Sequence, residues 1–248
     1  MTTTVLVHGN PETAAVWEPL LAELGKDDAV VLSPPGFGAS LPGGFDTTPV
    51  GYRDWLEAEL EHIGEPVDLV GHNWGGAHVV SVAMHRPDLL RSWVSDTVGV
   101  FHPDYVWHEL ARTWQTPGAG ERQLVAFLDG GPADRARRLC DRGMPLPVAE
   151  RVVARLDPSL AHAVLALYRA AAQPVMARLG EHLERAAQRP GLAVLATKDQ
   201  VVGTEAQRRE AARRAGAQVA VLDGLGHHWP SRAPQRAALT MQRFWDSL

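Results

Sequence analysis

The sequence predicts an α/β fold: a mostly parallel, doubly wound sheet that carries an inserted helical segment. Short apolar runs alternate with longer segments of helical period, a pattern typical of parallel strands joined by helical crossovers. The alternation stops near residue 101 and resumes near residue 190, and helical patterns without a convincing strand fill the interval. A glycine-rich turn at residues 71–76 lies directly between an apolar run and a helical pattern.

Six strands and five helices of the core follow from this alternation. The strands are expected at residues 4–8, 29–33, 67–71, 92–96, 192–197 and 218–222, and the helices at residues 13–24, 49–63, 74–86, 204–215 and 234–245. The fourth helix ends with Arg213 and Arg214 before Gly216, which suits the negative end of a helix dipole and a left-handed cap. We therefore expect an α/β core formed by residues 1–100 and 191–248, and a helical cap formed by residues 101–190.

Length and charge exclude some classes of partner. The 248 residues fit one large domain or one domain with an insertion. With 29 acidic and 24 basic residues the net charge is -5, which gives no electrostatic reason to bind nucleic acid or an anionic membrane. The charge is uneven, because residues 101–190 carry 12 basic and 10 acidic side chains.

The cysteine and histidine content bears on compartment and cofactors. The single cysteine, Cys140, cannot form an internal disulfide, which favours a reducing compartment. The N-terminal residues lack the features of a leader, and no run approaches the ~18 apolar residues of a membrane span. We expect a soluble cytoplasmic protein. Most of the 11 histidines are expected to be ordinary surface or packing residues, and His72, His78 and His85 have no cysteine or acidic partners at zinc spacing, so we expect no metal and no cofactor.

The turn at residues 71–76 reads Gly-His-Asn-Trp-Gly-Gly and predicts a nucleophile elbow with Asn73 at its tip. Small residues on both sides let the chain turn sharply and present the middle side chain above the sheet. A phosphate-binding turn is the alternative, but the segment lacks the lysine of a P-loop and the G-x-G-x-x-G spacing.

Two further motifs complete a catalytic pattern. His8-Gly9-Asn10-Pro11 follows the first strand, where the backbone N–H groups of a loop can stabilise developing negative charge. Asp199 follows the strand at 192–197, and His227 lies in the segment Gly-His-His-Trp-Pro further along. Along the chain residue 73 comes first, the acid second and the histidine third, which is the order of the three residues in one known type of catalytic triad.

With these motifs the sequence resembles the α/β-hydrolase fold, and within it the branch of epoxide hydrolases and haloalkane dehalogenases. The resemblance covers nearly the whole chain, through HGNPE, PPGFGAS at residues 34–40, the elbow, the helical cap and the terminal GHHWP. In that branch an aspartate attacks an alkyl carbon, and a water activated by the histidine and its acid then hydrolyses the ester. The resemblance implies these roles for residue 73, His227 and Asp199, with backbone N–H groups near Asn10 and Trp74 holding the oxyanion.

Asn73 departs from the family, whose elbow carries aspartate at this position. A neutral amide is a very poor nucleophile for a saturated carbon, so we expect the chain to be inactive or to trap its substrate. Asparagine also tolerates the positive φ that the elbow requires. Two interpretations stay open: a replacement of aspartate that preserves shape, and a natural protein whose chemistry does not use this side chain.

The resemblance leaves the leaving group undecided. Asn10 and Trp74 match the pair of N–H donors that holds the departing halide in one group of haloalkane dehalogenases. Tyr168 resembles instead the cap tyrosine that protonates the oxygen of an opening epoxide, and it tips the expectation toward epoxide hydrolysis. Haloalkane dehalogenation is the alternative, and a non-hydrolytic binding or lyase-type protein is the third. A small-molecule substrate is the expected partner in each case, with the oligomeric state open.

The acid and the pocket wall also have alternatives. Asp96 ends the strand at 92–96, a position that supplies the acid in some dehalogenases, whereas Asp199 lies at the commoner position and is preferred. Trp107 and Trp114 are seven residues apart, which predicts one helical face. Either tryptophan could pack in the core or form the wall of a substrate pocket. Trp107 is the candidate for the pocket wall.

Overall fold

The computed structural model describes residues 2–26 and 28–248, so Met1 and Asp27, which fall in the predicted core, lie outside the described residues. The strands are β1 (Thr4–Val7), β2 (Val30–Leu32), β3 (Val67–Gly71), β4 (Leu90–Ser95), β5 (Gly191–Ala196) and β6 (Gln218–Leu222). The core helices are α1 (Glu18–Leu24), α2 (Pro49–Ile63), α3 (Trp74–His85), α10 (Glu205–Arg214), α11 (Trp229–Arg232) and α12 (Pro234–Asp246). Between β4 and β5 the chain forms α4 (Glu109–Gln115), α5 (Ala119–Leu128), α6 (Pro132–Cys140), α7 (Leu146–Ala154), α8 (Leu160–Ala170) and α9 (Val175–Leu179).

All six strands form one parallel sheet in the order β2-β1-β3-β4-β5-β6. This architecture confirms the predicted α/β class. In the register of the sheet Val7 lies opposite Gly71, and Gly71 lies opposite Ser95. The carboxyl ends of β1, β3 and β4 therefore lie level with one another. The loops that follow these three strands meet at one edge of the sheet, where open α/β sheets bind their ligands.

Burial along the sheet follows the strand order. Every residue of β1, β3 and β5 is buried, whereas the residues of β2 are only partly buried and most of β6 is exposed. Central parallel strands are covered by helices on both faces, so they need apolar side chains at every position. This explains why the central strands give the clearest apolar runs in the sequence.

One predicted helix is divided in the structure. Residues 13–24 form a short 3-10 turn, Ala14–Val16, capped by the Thr13 side chain, and then α1. Pro19 lies in the first turn of α1, where the missing N–H costs nothing, but it could not continue a helix from Thr13. Elsewhere α2 has the predicted bounds, and Gly216 has the left-handed φ of 63° that its place after α10 requires.

The segment 101–190 consists of helices, turns and connecting loops, and all of its residues are described. Trp114 lies in α4, but α4 begins at Glu109, so Trp107 precedes the helix and the predicted shared helical face is wrong. The division into a core and a cap at residues 101 and 190 stays a prediction. Among the described helices, none has the length and apolar character needed to cross a bilayer.

Candidate active site

Asn73 forms the tip of the sharp turn between β3 and α3. Its φ is 56°, and no other non-glycine residue in the described part of the chain has a positive φ. The backbone N–H of Asn73 donates to Asp96 Oδ1 at 3.1 Å, and its carbonyl oxygen accepts from Thr97 Oγ1 at 2.7 Å. A residue in a sparsely populated backbone region persists only when its surroundings hold it there. The end of β4 provides that support.

Close packing of the loop after β1 brings a second element to the elbow. A side-chain carbon added at Gly9 would lie 2.5 Å from Cβ and Cγ of Asn73, and one added at Gly75 would overlap the carbonyl oxygen of Val7. Only glycine, which has no side chain, allows these two close approaches. The loop at residues 8–11 and the start of α3 therefore form one wall around the Asn73 side chain.

Three contacts fix the orientation of the Asn73 amide. Oδ1 accepts from the Trp74 backbone N–H at 2.6 Å, and Nδ2 donates to the Asn10 carbonyl oxygen at 3.1 Å and lies 2.9 Å from His227 Nε2. A backbone N–H only donates and a carbonyl oxygen only accepts, so exchanging the amide oxygen and nitrogen would break two hydrogen bonds. Nδ2 thus donates to His227, whose Nε2 is an unprotonated acceptor in this arrangement.

Asp199 lies on the other side of the His227 ring. Its Oδ2 is 2.8 Å from His227 Nδ1, and its Oδ1 accepts from the Val201 N–H at 2.7 Å. Of the two candidate acids, the structure thus brings Asp199 to His227. Asn73, His227 and Asp199 form a continuous hydrogen-bonded line in which Nδ1 carries the proton and Nε2 holds a free electron pair, the arrangement of a general base.

Burial and mutual attraction act in opposite directions on the pKa values of this pair. Burial opposes charge on His227, but the Asp199 carboxylate outweighs it and raises the pKa of His227 above its ordinary value. Burial likewise opposes charge on Asp199, but His227 and the Val201 N–H lower the pKa of Asp199 to about 2. The aspartate is therefore ionised at neutral pH and stabilises the positive charge that develops on His227 when Nε2 accepts a proton.

Replacing Asp199 by asparagine is expected to lower the pKa of His227. Burial, which disfavours the imidazolium, would then act without the opposing carboxylate, so the pKa should fall below about 6.5. The pH titration of the His227 ring protons by NMR, assigned with His227→Gln, measures this. Asp223→Asn removes an exposed carboxylate and should leave the titration unchanged. An unaltered His227 pKa in Asp199→Asn would contradict the pairing.

The pairing of His227 with Asp199 also makes the stability of the folded protein depend on pH. Because the pKa of His227 is raised in the folded protein, its stabilisation is complete below the unfolded pKa and is lost as pH rises through the folded value. The contribution of Asp199 has the opposite sign and is lost as pH falls toward its folded pKa of about 2.

Asp96 lies beneath the elbow, with its oxygens on groups other than His227. Oδ2 accepts from Trp229 Nε1 at 2.7 Å and lies 2.5 Å from His72 Nδ1, and Oδ1 accepts from the Asn73 N–H and from Thr97 Oγ1. The alternative prediction, in which Asp96 is the acid that contacts His227, therefore does not match this geometry. Asp96 supports the backbone of Asn73 and the ring of His72.

A buried charge cluster next to Asp96 was missed by the sequence reasoning. Glu12 Oε1 lies 3.2 Å from His72 Nε2 and 3.4 Å from His228 Nδ1, and all three residues are buried. Although burial opposes both charges, attraction to Glu12 and Asp96 raises the pKa of His72 well above its ordinary value, and His72 and His228 hold the pKa of Glu12 well below its own. The sequence does contain a signal for this cluster, because Glu12 is the last residue of the HGNPE motif and His72 directly precedes Asn73.

This cluster contains the donor set that a metal ion could use. Glu12, His72 and His227 each offer a ligand atom, and the three atoms lie within 4.8 Å of one another. Carboxylate and imidazole are suitable ligands for a divalent cation. These donors already have protein partners, because His72 lies between the carboxylates of Glu12 and Asp96, and both nitrogens of His227 are engaged by Asn73 and Asp199.

A cavity of about 170 Å³ opens in front of Asn73 and His227. Its wall includes Asn10, whose side-chain oxygen and nitrogen are both buried and have no hydrogen-bond partner among the described residues. The other lining residues come mostly from the helical segment and include His108, Leu110, Trp114, Leu139, Arg142 and Tyr168. His108 and Arg142 were not identified from the sequence.

Tyr168 lies at the centre of an aromatic cluster on this wall. Its ring centroid is 5.5 Å from that of Trp74, 5.4 Å from that of Trp107 and 4.7 Å from that of Trp114. Burial raises the pKa of Tyr168, so its hydroxyl keeps its proton at neutral pH. Trp107 and Trp74 line a smaller pocket of about 20 Å³ that also includes Asn73 and Tyr168. The segment 101–190 thus places tyrosine and tryptophan directly against the elbow.

These features define a class of protein. A parallel sheet with an elbow after its third strand, a facing loop after its first, and a histidine paired with an aspartate is the arrangement of an α/β hydrolase. Residues 4–238 match the Alpha/beta hydrolase family, and the chain belongs to that family.

Relatives and structural neighbours differ in the reactions their names describe. The chain is 33% identical over 108 residues to the cis-3-alkyl-4-alkyloxetan-2-one decarboxylase of Shewanella oneidensis, a match that spans 40% of this chain and 34% of that protein. It is similar to E-2-(acetamidomethylene)succinate hydrolase, with a TM-score of 0.70 and 19% identity over 99% of this chain and 91% of that one. It is also similar to the haloalkane dehalogenase DbeA of Bradyrhizobium elkani, with a TM-score of 0.69 and 20% identity over 100% and 92% of the two chains. At such identities the structural likeness shows the fold alone.

Proposed function

We propose that this α/β hydrolase opens a small epoxide to a diol, through an ester on the side chain of residue 73, and that Asn73 holds this machinery idle until the amide becomes a carboxylate. The observation that carries the proposal is the placement of Tyr168 on the wall of the cavity that Asn73 and His227 also line. A nucleophile position, a base and a buried phenol around one small cavity supply the three groups that ring opening requires.

The reaction begins with the carboxylate form of residue 73. One carboxylate oxygen attacks an epoxide carbon, the carbon–oxygen bond of the ring breaks, and the Tyr168 hydroxyl donates its proton to the departing oxygen. His227 Nε2 then takes a proton from water, and the resulting hydroxide adds to the ester carbonyl. The Trp74 backbone N–H, already 2.6 Å from Oδ1 of Asn73, stabilises the oxyanion. Collapse breaks the bond to the substrate oxygen, which takes the proton held by His227 and leaves as the diol. The proton of the new carboxylic acid returns to the Tyr168 phenolate, and the carboxylate of residue 73 is restored.

In the amide form the first step is blocked, so the site binds its substrate without turnover. Nδ2 of Asn73 donates its two hydrogen bonds to groups of the protein, the Asn10 carbonyl oxygen and His227 Nε2. In the unaltered chain the site can therefore bind substrate, but it lacks a nucleophile to form the ester that His227 would help to hydrolyse. The Shewanella relative supports a strained cyclic substrate, since its name describes a four-membered ring that contains oxygen.

Haloalkane dehalogenation is the second candidate, and the side chain of Asn10 favours it. A buried amide with both polar atoms unpartnered in the described chain is available to a ligand in the 170 Å³ cavity. Its N–H groups could hold a departing halide together with the indole of Trp74, which lines the smaller pocket beside Asn73 and Tyr168. In this reaction Tyr168 would serve only as apolar wall.

Tyr168→Phe in the background of Asn73→Asp distinguishes the two candidates. Loss of the proton donor is expected to lower epoxide turnover by a factor of order 10²–10⁴ and to leave haloalkane turnover within a few fold. Product formation is measured on matched epoxides and 1-haloalkanes of the same chain length. Tyr105→Phe is the control, because the Tyr105 hydroxyl donates to the Val201 carbonyl and is already engaged. If the variant without the Tyr168 hydroxyl keeps full epoxide turnover, the proposed role of Tyr168 is wrong and dehalogenation becomes the favoured reaction.

A further inference from the structure

Arg142 lines both the cavity at the candidate active site and a second, outer cleft. It follows α6 and precedes α7, and it lines the 170 Å³ cavity together with Asn73 and His227. It also lines an outer cleft of about 420 Å³ between this turn and the loop at residues 224–228. The arginine thus lies where the outer cleft meets the candidate active site.

The charge of Arg142 is not neutralised by an ion pair. In the part of the chain that the structure describes, no carboxylate forms a salt bridge with its guanidinium, and none of the residues lining the cavity is acidic. Arg142 is an exposed residue, and its guanidinium remains charged at neutral pH. Several other arginines of the same helical segment have carboxylate partners at the surface: Arg137 with Asp134, Arg169 with Glu121, and Arg151 and Arg155 with Glu18.

The remaining polar groups of the cavity do not compensate this charge. Burial lowers the pKa of His108 to about 4, so its ring is neutral at physiological pH. The Tyr168 hydroxyl keeps its proton, and Asn73 is an uncharged amide. Arg142 is exposed over much of its surface, but it also lines the cavity, where its positive charge faces walls without a carboxylate and favours an anionic ligand.

We propose, on the basis of the small-molecule site described above, that the substrate carries a carboxylate and that Arg142 binds it. A single guanidinium offers one planar fork of N–H donors that matches the two oxygens of a carboxylate. A phosphate dianion would keep one charge uncompensated here. The volume of 170 Å³ lies below the usual range of roughly 300–1,000 Å³ for ligand pockets, so the acid is small.

The outer cleft supports the same choice of ligand. Arg142 and Arg232 both line it, and no acidic residue is among its described lining residues. A cleft lined by charges of one sign raises the local concentration of ligands of the opposite sign. An anion in this cleft would therefore be attracted by both arginines, and Arg142 also lines the cavity.

Binding to the unaltered protein tests this without any turnover. Isothermal titration calorimetry with butyrate and with butyramide compares a carboxylate with a neutral probe of nearly the same shape. Butyrate is expected to bind at least about tenfold more tightly. In Arg142→Gln this preference should vanish while butyramide binding stays unchanged, and Arg142→Lys should retain part of it.

Arg138→Gln is the matched control, since it removes the same charge from an exposed position in α6 that lines neither space. Its preference for butyrate should equal that of the unaltered protein. Equal binding of the two probes, no detectable binding of butyrate, or equal losses in the Gln variants of Arg138 and Arg142 would each overturn the proposal. Absence of epoxide turnover in Asn73→Asp would overturn the proposed reaction instead and leave the binding result intact.

Discussion

Replacing Asn73 by aspartate is expected to raise turnover of small epoxides by on the order of 10³-fold or more, from a level close to background. The amide of Asn73 offers only delocalised electron density, whereas a carboxylate in the same place can attack a saturated carbon. The other groups are already in position: Trp74 N–H lies 2.6 Å from Oδ1, His227 Nε2 lies 2.9 Å from Nδ2, and Asp199 holds the far side of the histidine. The substitution changes one atom of the side chain and keeps its shape.

Steady-state kinetics on a panel of small epoxides, with and without a carboxylate, measures this effect. The double variant Asn73→Asp with His227→Ala is the control, and it should form the ester once and then stop, because no base activates water for its hydrolysis. Mass spectrometry of the intact protein would show that trapped ester. If Asn73→Asp turns over neither epoxides nor haloalkanes, a non-hydrolytic binding protein becomes the better description of the chain.

The unaltered protein is itself expected to convert Asn73 slowly to aspartate during incubation over days. His227 Nε2 would take a proton from water, and the hydroxide would add to Cγ of Asn73, giving an oxyanion at Oδ1 that the Trp74 N–H already contacts. Nδ2 lies 2.9 Å from His227 Nε2, so the protonated histidine can return its proton to the departing nitrogen. Ammonia leaves and a carboxylate remains. An amide leaves less readily than the alkoxide of an ester, so most freshly purified protein should still carry the amide.

Peptide mass spectrometry of the elbow, followed alongside epoxide turnover, tests this conversion. The acid form and the activity should grow together, and His227→Ala should abolish both. Direct hydrolysis yields only aspartate, whereas spontaneous deamidation through a cyclic imide also yields isoaspartate. A stable amide after long incubation, or an isoaspartate mixture that forms equally in His227→Ala, would refute the mechanism.

Some features of the site depend on the fold and are not visible in local sequence. Asp96 and Asp199 follow neighbouring parallel strands, β4 and β5, so either could face a histidine at the same edge of the sheet. The path of the loop after β6 decides the choice, because it brings His227 to 2.8 Å from Asp199 while Trp229 and His72 occupy Asp96. The cluster of Glu12 with His72 is hidden in a similar way, since the two residues are far apart in the chain and meet only through the pairing of β1 with β3.

The sequence by itself determined the parallel α/β sheet, the elbow at Asn73 and the order of residue 73, acid and histidine. These features rest on local signals: apolar runs of strand length, glycines at a sharp turn, and motifs at the ends of strands. The tertiary structure alone decided that Asp199 rather than Asp96 contacts His227, that Trp107 lies outside α4 yet still against Tyr168, and that Arg142 lines the cavity. Helical periodicity reports which face of a helix is apolar but not which element covers it, so contacts between the inserted helices and the sheet arise only when the whole chain packs.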